Sequence, residues 1–98
     1  MTYNQKKAKV FINKKTIKAL EKLPSFIIDS LKYWVRIVEI QGIYKTRKIP
    51  GYHDEPLKGE RSGQRSIRLN RSYRAIYKIT ENKEIELIEV IEVSKHEY

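Results

Sequence analysis

Apolar residues recur at two different periods along this chain. Up to residue 42 they return every three or four positions, as on one side of a helix, and beyond residue 63 they form runs rich in β-branched side chains. A first helix is predicted after Asn13, a residue type that caps helix N-termini, with an apolar side formed by Ile17, Leu20 and Leu23. Pro24 is predicted to end this helix, because proline disrupts the helical hydrogen bonds.

A second helix is predicted to begin at the same proline, whose fixed backbone angle suits a first helical turn. Its apolar face is predicted to contain Ile27, Leu31, Trp34, Val35 and Val38. Gly42 is predicted to end it, since glycine reaches backbone angles that terminate helices. Two antiparallel helices joined by a tight turn are therefore expected.

Three β-rich runs make up the last third of the chain. The connection over residues 44–63 has no sustained period and is predicted to be mostly loop, with a short strand near residues 46–49. The runs at residues 65–69, 73–79 and 85–93 predict an antiparallel meander, and residues 9–12 predict a further edge strand. The predicted class is α+β, with both helices packed on one face of a small antiparallel sheet and the other face left for a ligand.

Length and composition narrow the possibilities further. A chain of 98 residues is expected to form one domain over residues 1–98, because so short a chain cannot divide its core between two folding units. It has no cysteine, so disulfides and thiolate metal sites are excluded. The polar, lysine-bearing start predicts no secretory signal, and no apolar run approaches membrane-spanning length, so a cytoplasmic protein without a membrane partner is expected.

The net charge of +9 is unevenly distributed. Residues 1–44 carry nine basic and three acidic side chains, residues 45–78 carry ten and three, and residues 79–98 carry two and six. An excess of this size favours a polyanionic partner such as RNA or DNA. The acidic final segment indicates a localised basic surface and not a uniformly basic one.

Two arginines are predicted to face each other across a β-hairpin. If residues 70–72 form the loop, Arg68 lies directly opposite Arg74, and like charges in that position cost about a few tenths to 1 kcal/mol. Such a conflict indicates that an anion binds there, and phosphate is the natural candidate because guanidinium groups bind it bidentately. Arginines on a solvated sheet face are the alternative interpretation.

A carboxylate and a histidine complete a set of groups suited to RNA cleavage. Glu55 precedes Pro56, which favours an extended backbone and gives the side chain a defined direction, so Glu55 can serve as a general base. His96 can serve as the acid for the leaving group. Turn composition around Glu55 and a solvated terminus at His96 are the alternatives, and His53 has no ligand spacing that would indicate a metal site.

The motifs between Leu57 and Tyr77 resemble a known family. They read Leu-Lys-Gly, then Gly-Gln-x-Ser-Ile-Arg-Leu-Asn, then Tyr-Arg-Ala-Ile-Tyr, and the chain ends with a late histidine and a tyrosine. This order is similar to that of the RelE superfamily, with its HigB and YoeB branches. These are the ribosome-dependent messenger RNA endonuclease toxins of bacterial toxin-antitoxin pairs. A RelE-like fold is therefore expected.

The resemblance implies roles for individual residues. Arg74 corresponds to the phosphate-stabilising arginine, Glu55 to the general base, and His96 to the late catalytic histidine, while Arg68 lies near a catalytic lysine of the founding branch. The expected RNA-binding residues are Lys58, Arg65, Arg71 and Tyr98. The resemblance also implies a cognate antitoxin in a hetero-oligomer, and a 70S ribosome with messenger RNA in its A site. It implies neither a metal nor a cofactor.

Two other function classes remain open at this point. The ParE branch shares the fold and inhibits DNA gyrase without cutting RNA, and a basic α+β module could bind structured RNA without cleaving it. The joint presence of Glu55, Arg74 and His96 favours the enzyme over both.

Overall fold

The computed structural model describes residues 6–95, which form a five-stranded sheet with helices on one face. The strands are β1 (Lys7–Ile12), β2 (Glu55–Pro56), β3 (Gln64–Arg68), β4 (Tyr73–Glu81) and β5 (Ile85–Lys95). The helices are α1 (Lys14–Leu20), α2 (Ser25–Gln41) and α3 (Ile43–Thr46), with 3-10 turns at Pro50–Tyr52 and Gly59–Arg61. The sheet order β1-β5-β4-β3-β2 confirms the predicted α+β class.

The last three strands form the predicted antiparallel meander, but the sheet as a whole is mixed. Strand β1 pairs with β5 in parallel, with Lys7 opposite Ile85 and Ile12 opposite Val90. The prediction of a wholly antiparallel sheet is wrong in this respect. The chain that connects β1 to β5 passes through the helices and the other strands, and a crossover of that length permits parallel pairing.

Helix α1 begins as predicted and is shorter than predicted. The Asn13 side chain accepts a hydrogen bond from the Lys15 amide at 2.9 Å, so Asn13 is the N-cap. Thr16 and Leu20 are the buried residues of α1, whereas Ile17 is 49% exposed. The predicted apolar side is therefore partly wrong, because the helix ends at Leu20 and turns Thr16, not Ile17, toward the sheet.

Helix α2 supplies most of the helical part of the core. Ile27, Leu31, Trp34 and Val38 are buried, as the period predicts, and Val35 packs partly buried against them. Pro24 is the N-cap, and Gly42 ends the helix with a φ of +87°, an angle that favours glycine. The Trp34 and Tyr77 rings lie 5.3 Å apart, which joins α2 to the middle of β4.

The short strand predicted near residues 46–49 is wrong, because helix α3 occupies the start of this segment. Ile43 and Thr46 are buried, and the Thr46 hydroxyl donates to the Gly42 carbonyl at 2.8 Å. The buried Glu86 of β5 accepts a hydrogen bond from the Ile43 amide at 3.2 Å, which ties α3 to the sheet. The edge strand lies instead at Glu55–Pro56, where it pairs with β3.

The sheet face opposite the helices is only partly open. Arg61 donates to Gln64 at 2.8 Å and contacts Glu92 at 3.1 Å, so the connection after β2 reaches across this face to β5. Ile76, which pairs with Ser66 and Glu92, is fully buried. The part of this face that remains accessible lies toward the hairpin between β3 and β4. No helix in the described part of the chain is long and apolar enough to cross a membrane.

Candidate active site

The hairpin between β3 and β4 has the predicted register. Arg68, the last residue of β3, lies opposite Arg74, the second residue of β4. The Asn70 side chain accepts hydrogen bonds from the Ser72 and Tyr73 amides, both at 2.8 Å, and the Leu69 amide donates to the Tyr73 carbonyl at 2.9 Å. This turn holds the two strands in register and so keeps the two arginines on paired positions.

A small cleft of about 50 Å³ opens beside this hairpin. Its lining includes His53 and four charged residues, Glu55, Arg68, Arg71 and Arg74. Glu55 reaches the cleft because β2 pairs with β3, with Glu55 opposite Ser66. The structure therefore brings the sequence-predicted Glu55, Arg68, Arg71 and Arg74 to one site.

Arg74 is half-buried and contains an unsatisfied donor. Its Nε atom is buried and has no hydrogen-bond partner within residues 6–95. A buried N–H without an acceptor is costly, and the same side chain lines the cleft, where an anion can pair with its positive charge. Arg68, by contrast, is exposed and lines the same cleft from the neighbouring strand. The pair is suited to binding a phosphate group.

His53 is a site residue that the sequence did not indicate. It adopts a left-handed backbone conformation, with φ 46° and ψ 48°, at the end of the 3-10 turn Pro50–Tyr52. Its Nε2 atom lies 3.8 Å from Glu55 Oε2, and both side chains are 61% exposed. Such angles are uncommon for a residue other than glycine and concentrate at functional sites. The separation of two residues between His53 and Glu55 was the only hint in the sequence.

Beneath this loop lies a buried polar cluster that we call the Asp54 cluster, formed by Asp54, Arg65, Tyr77 and Arg47. The Asp54 side chain is 2% exposed and accepts hydrogen bonds from Arg65 Nε and from the Tyr77 hydroxyl, both at 2.6 Å. Arg47 Nε donates to the Tyr77 hydroxyl at 3.3 Å. These bonds attach the loop that carries His53 and Glu55 to the middle of the sheet.

The electrostatics of the Asp54 cluster match its burial. Burial raises the pKa of Tyr77, and its hydrogen bond to Asp54 raises it further. For Arg65, burial lowers the pKa, but the hydrogen bond and charge of Asp54 outweigh that effect and the net direction is upward. Both groups are thus held in the protonated form.

The other sequence-predicted residues lie elsewhere. Arg65 was expected to bind RNA, but the structure pairs it with Asp54, and it does not line the cleft. Lys58 is exposed and also lies outside the cleft lining. His96 and Tyr98 fall outside the described residues. Among residues 6–95 no group of three or more histidine and acidic side chains could hold a metal ion.

With this geometry in view, the backbone can be compared with solved structures. A YoeB/ParE toxin from Agrobacterium tumefaciens superimposes with a TM-score of 0.68 at 19% identity, covering 91% of this chain and 99% of that one. The E. coli DinJ-YafQ toxin-antitoxin complex gives 0.70 at 18% identity, with 92% and 93% covered. The YoeB-YefM complex from Staphylococcus aureus gives 0.64 at 16% identity, with 94% and 99% covered.

The chain has the fold of these toxins. The expected RelE-like fold is therefore confirmed at the level of the backbone. No family model and no curated protein matches the sequence significantly. At identities below 20%, the likeness to the three structures concerns the fold alone.

Proposed function

We propose that the protein is the toxin of a toxin-antitoxin pair and acts in the cytoplasm as a ribosome-dependent endoribonuclease that cleaves messenger RNA in the ribosomal A site. The observation that carries the proposal is the cleft in which Arg68 faces Arg74, the buried Arg74 Nε has no acceptor within the described residues, and Glu55 lies in the lining. The proposal is also supported by the fold, which is that of known toxins, and by the three arginines at the hairpin between β3 and β4.

In this mechanism the cleft holds the scissile phosphate. Glu55 takes the proton from the 2′-hydroxyl, and the 2′-oxygen attacks the adjacent phosphorus. Arg68 and Arg74 stabilise the negative charge that grows on the phosphorane oxygens. The bond to the 5′-oxygen breaks, which leaves a 2′,3′-cyclic phosphate and, after protonation, a 5′-hydroxyl. We assign that last proton to His96.

The partners follow from the same proposal. In this proposal the ribosome presents messenger RNA in a defined conformation, and the lysines of α1, Lys14, Lys15 and Lys18, would contact ribosomal RNA. A cognate antitoxin would neutralise the toxin in a hetero-oligomer, as the E. coli and S. aureus neighbours are themselves two-protein complexes. In such a complex the antitoxin would cover the cleft and the lysines of α1.

The experiment that tests the proposal is a reconstituted translation reaction with purified protein, in which transcript ends are mapped with and without ribosomes. We expect cuts only with ribosomes, a strong loss with Glu55→Gln, and a loss of about 100-fold or more with Arg74→Ala. Lys83→Ala is the matched control for charge, because Lys83 is exposed in the turn at the far end of β4.

Intact transcripts with the wild-type protein in every reaction would reject the endonuclease. A gyrase supercoiling assay run beside it covers the second candidate, which is favoured by one observation: the A. tumefaciens neighbour carries ParE in its name. Inhibition of supercoiling with intact transcripts would assign the protein to that class. If the protein binds structured RNA but neither cleaves it nor inhibits gyrase, it is a basic RNA-binding module.

A further inference from the structure

A second and larger hollow, which we call the α2 groove, lies beside the cleft. It has a volume of about 710 Å³ and runs between α2 and the segment that precedes β2. Its apolar lining comes from Phe26, Tyr33 and Ile37 of α2, and from Ile49, Tyr52 and Leu69. The mechanism proposed above uses none of these residues.

The aromatic residues of the α2 groove are unusually exposed. Phe26 is 57% exposed and Tyr33 is 65% exposed, whereas the α2 residues that face the sheet are buried. Aromatic faces left in water on a strongly basic protein are typical of surfaces that stack nucleobases. Tyr52, on the other side of the groove, is partly buried and packs against the core.

The α2 groove and the cleft share one residue. Arg68 lines both, so the groove begins where the phosphate-binding site ends. In a nucleic acid the phosphate and the base of a nucleotide are separated by one sugar. A strand whose phosphate lies between Arg68 and Arg74 therefore has a neighbouring base within reach of the groove.

Two polar residues of α2 indicate which part of a nucleotide would enter the α2 groove. Asp29 and Ser30 line the groove between the positions of Phe26 and Tyr33. A carboxylate repels phosphate but accepts hydrogen bonds from the amino and imino groups of a base edge. The combination of stacking surface, carboxylate and hydroxyl suits a base, while the arginines of the cleft suit the backbone.

We propose that the α2 groove binds the unstacked base of a nucleotide next to the scissile phosphate, with Tyr33 as a stacking surface and Asp29 as a hydrogen-bond acceptor for the base edge. This inference rests on the proposed function, since it supplies the substrate-recognition part of the same site. It assigns the choice among bases to α2 and not to the cleft. An apolar segment of a protein partner is the competing occupant.

The test measures binding without cleavage. The probe is a short single-stranded oligoribonucleotide with 2′-O-methyl sugars, which cannot be cut, and one 2-aminopurine, whose fluorescence falls on stacking. Titrations are made at low salt with the wild type, Tyr33→Ala, Tyr33→Phe and Ile40→Ala. Ile40 is the matched control, because it lies on the same helix, is 75% exposed and does not line the groove.

We expect Tyr33→Ala to weaken binding roughly 5- to 100-fold and to remove most of the quenching, since stacking on one aromatic residue has an effect of that size. Tyr33→Phe keeps the ring and should bind within about twofold of the wild type, as should Ile40→Ala. Because Tyr33 is largely exposed, all three variants should fold, and their melting temperatures check this. Asp29→Asn should change the relative affinity for probes that differ in the base beside the 2-aminopurine.

Two outcomes overturn the inference: no quenching with the wild type, or equal binding by Tyr33→Ala and the wild type. The second result would leave the α2 groove for a protein partner. Failure of the proposed function is distinguishable, because it is seen as intact transcripts on ribosomes. Tyr33-dependent binding with intact transcripts would keep the groove as a base site and reject the endonuclease.

Discussion

Arg68 and Arg74 form the one feature of the candidate site whose geometry the sequence predicts directly. Their opposition follows from a short hairpin loop, which can be counted in the sequence, and the structure confirms the register. Like charges on paired positions destabilise a sheet by up to about 1 kcal/mol, so their presence together at a cleft favours a role in anion binding. The Arg74 Nε, in contrast, has no acceptor among residues 6–95, and this could not be predicted because it depends on how the surrounding chain packs.

His53 is the residue whose role most needs a direct measurement. We expect His53→Asn to lower the cleavage rate by about tenfold or more, the lower end of the effect of a positioned proton-transfer group, because the imidazole lies 3.8 Å from the Glu55 carboxylate. Asparagine tolerates the left-handed conformation, so the loop should keep its shape. The measurement is single-turnover cleavage on programmed ribosomes.

Added imidazole provides the control for that variant. Partial rescue of His53→Asn by imidazole in solution would separate the loss of the ring from a change in the loop. A wild-type rate in His53→Asn would show that the histidine is a solvated loop residue and takes no part in the reaction.

At the scale of elements, the spacing of apolar residues predicted a helix or strand correctly where that element packs against the core through one face. The apolar face of α2 and the β3–β5 meander follow from period, because burial on one side selects one spacing. The segment around Thr46 was misjudged as a strand. Its helix α3 depends on Glu86, which accepts a hydrogen bond from the Ile43 amide 43 residues away, and on a hydrogen bond from the Thr46 hydroxyl to the Gly42 carbonyl.

The Asp54 cluster holds the site loop, and its removal should be costly. Within residues 6–95, Arg65→Ala leaves the buried Asp54 carboxylate with only the Tyr77 hydroxyl as a hydrogen-bond partner, so we expect a loss of about 2–4 kcal/mol in the free energy of unfolding. Lys78→Ala removes a more exposed ion pair with Glu89 and should cost at most about 1 kcal/mol. Urea unfolding of both variants measures the difference.

That comparison also decides the role of Arg65. If Arg65→Ala and Lys78→Ala prove equally stable, the buried pair is not structural, and Arg65 becomes available again as an RNA-binding residue. If Arg65→Ala is much less stable but its folded fraction cleaves RNA at the wild-type rate, Arg65 has a structural role only.

At the scale of the whole molecule, the cleft is basic because many acidic residues of the last third of the chain are paired elsewhere. The acidic residues of the last third are largely paired or remote from the cleft: Glu89 contacts Lys78, Glu92 contacts Arg61, and Glu81 contacts Lys6. The cleft, in contrast, has three arginines and one carboxylate in its lining. The lining of the cleft is therefore basic, which agrees with the localised basic surface expected from the sequence.

The buried tyrosine predicts a loss of stability in alkali. The ordinary pKa of tyrosine is 10.0, and burial with the Asp54 hydrogen bond raises that of Tyr77 in the folded protein. Below pH 10.0 both states keep the proton, so this contribution to stability is fully present. As the pH rises above that value, the unfolded chain loses the proton first, and stability falls.

Urea unfolding at a series of pH values measures this effect, with Tyr77→Phe as the control. The variant should be less stable near neutral pH, because the hydrogen bond to Asp54 is gone, but its stability should fall less steeply above pH 10.0. Equal slopes in the two proteins would assign the alkaline loss to other groups.

The sequence by itself determined the α+β class, the main helix, the meander and the facing arginines. Each of these depends on local period or on the length of one turn, and burial on one face enforces such patterns. The tertiary structure decided the parallel pairing of β1, the Asp54–Arg65 pair, the position of His53 beside Glu55, and the groove along α2. These features join residues that are distant in sequence or depend on the shape between elements, and no local spacing records which distant groups will meet.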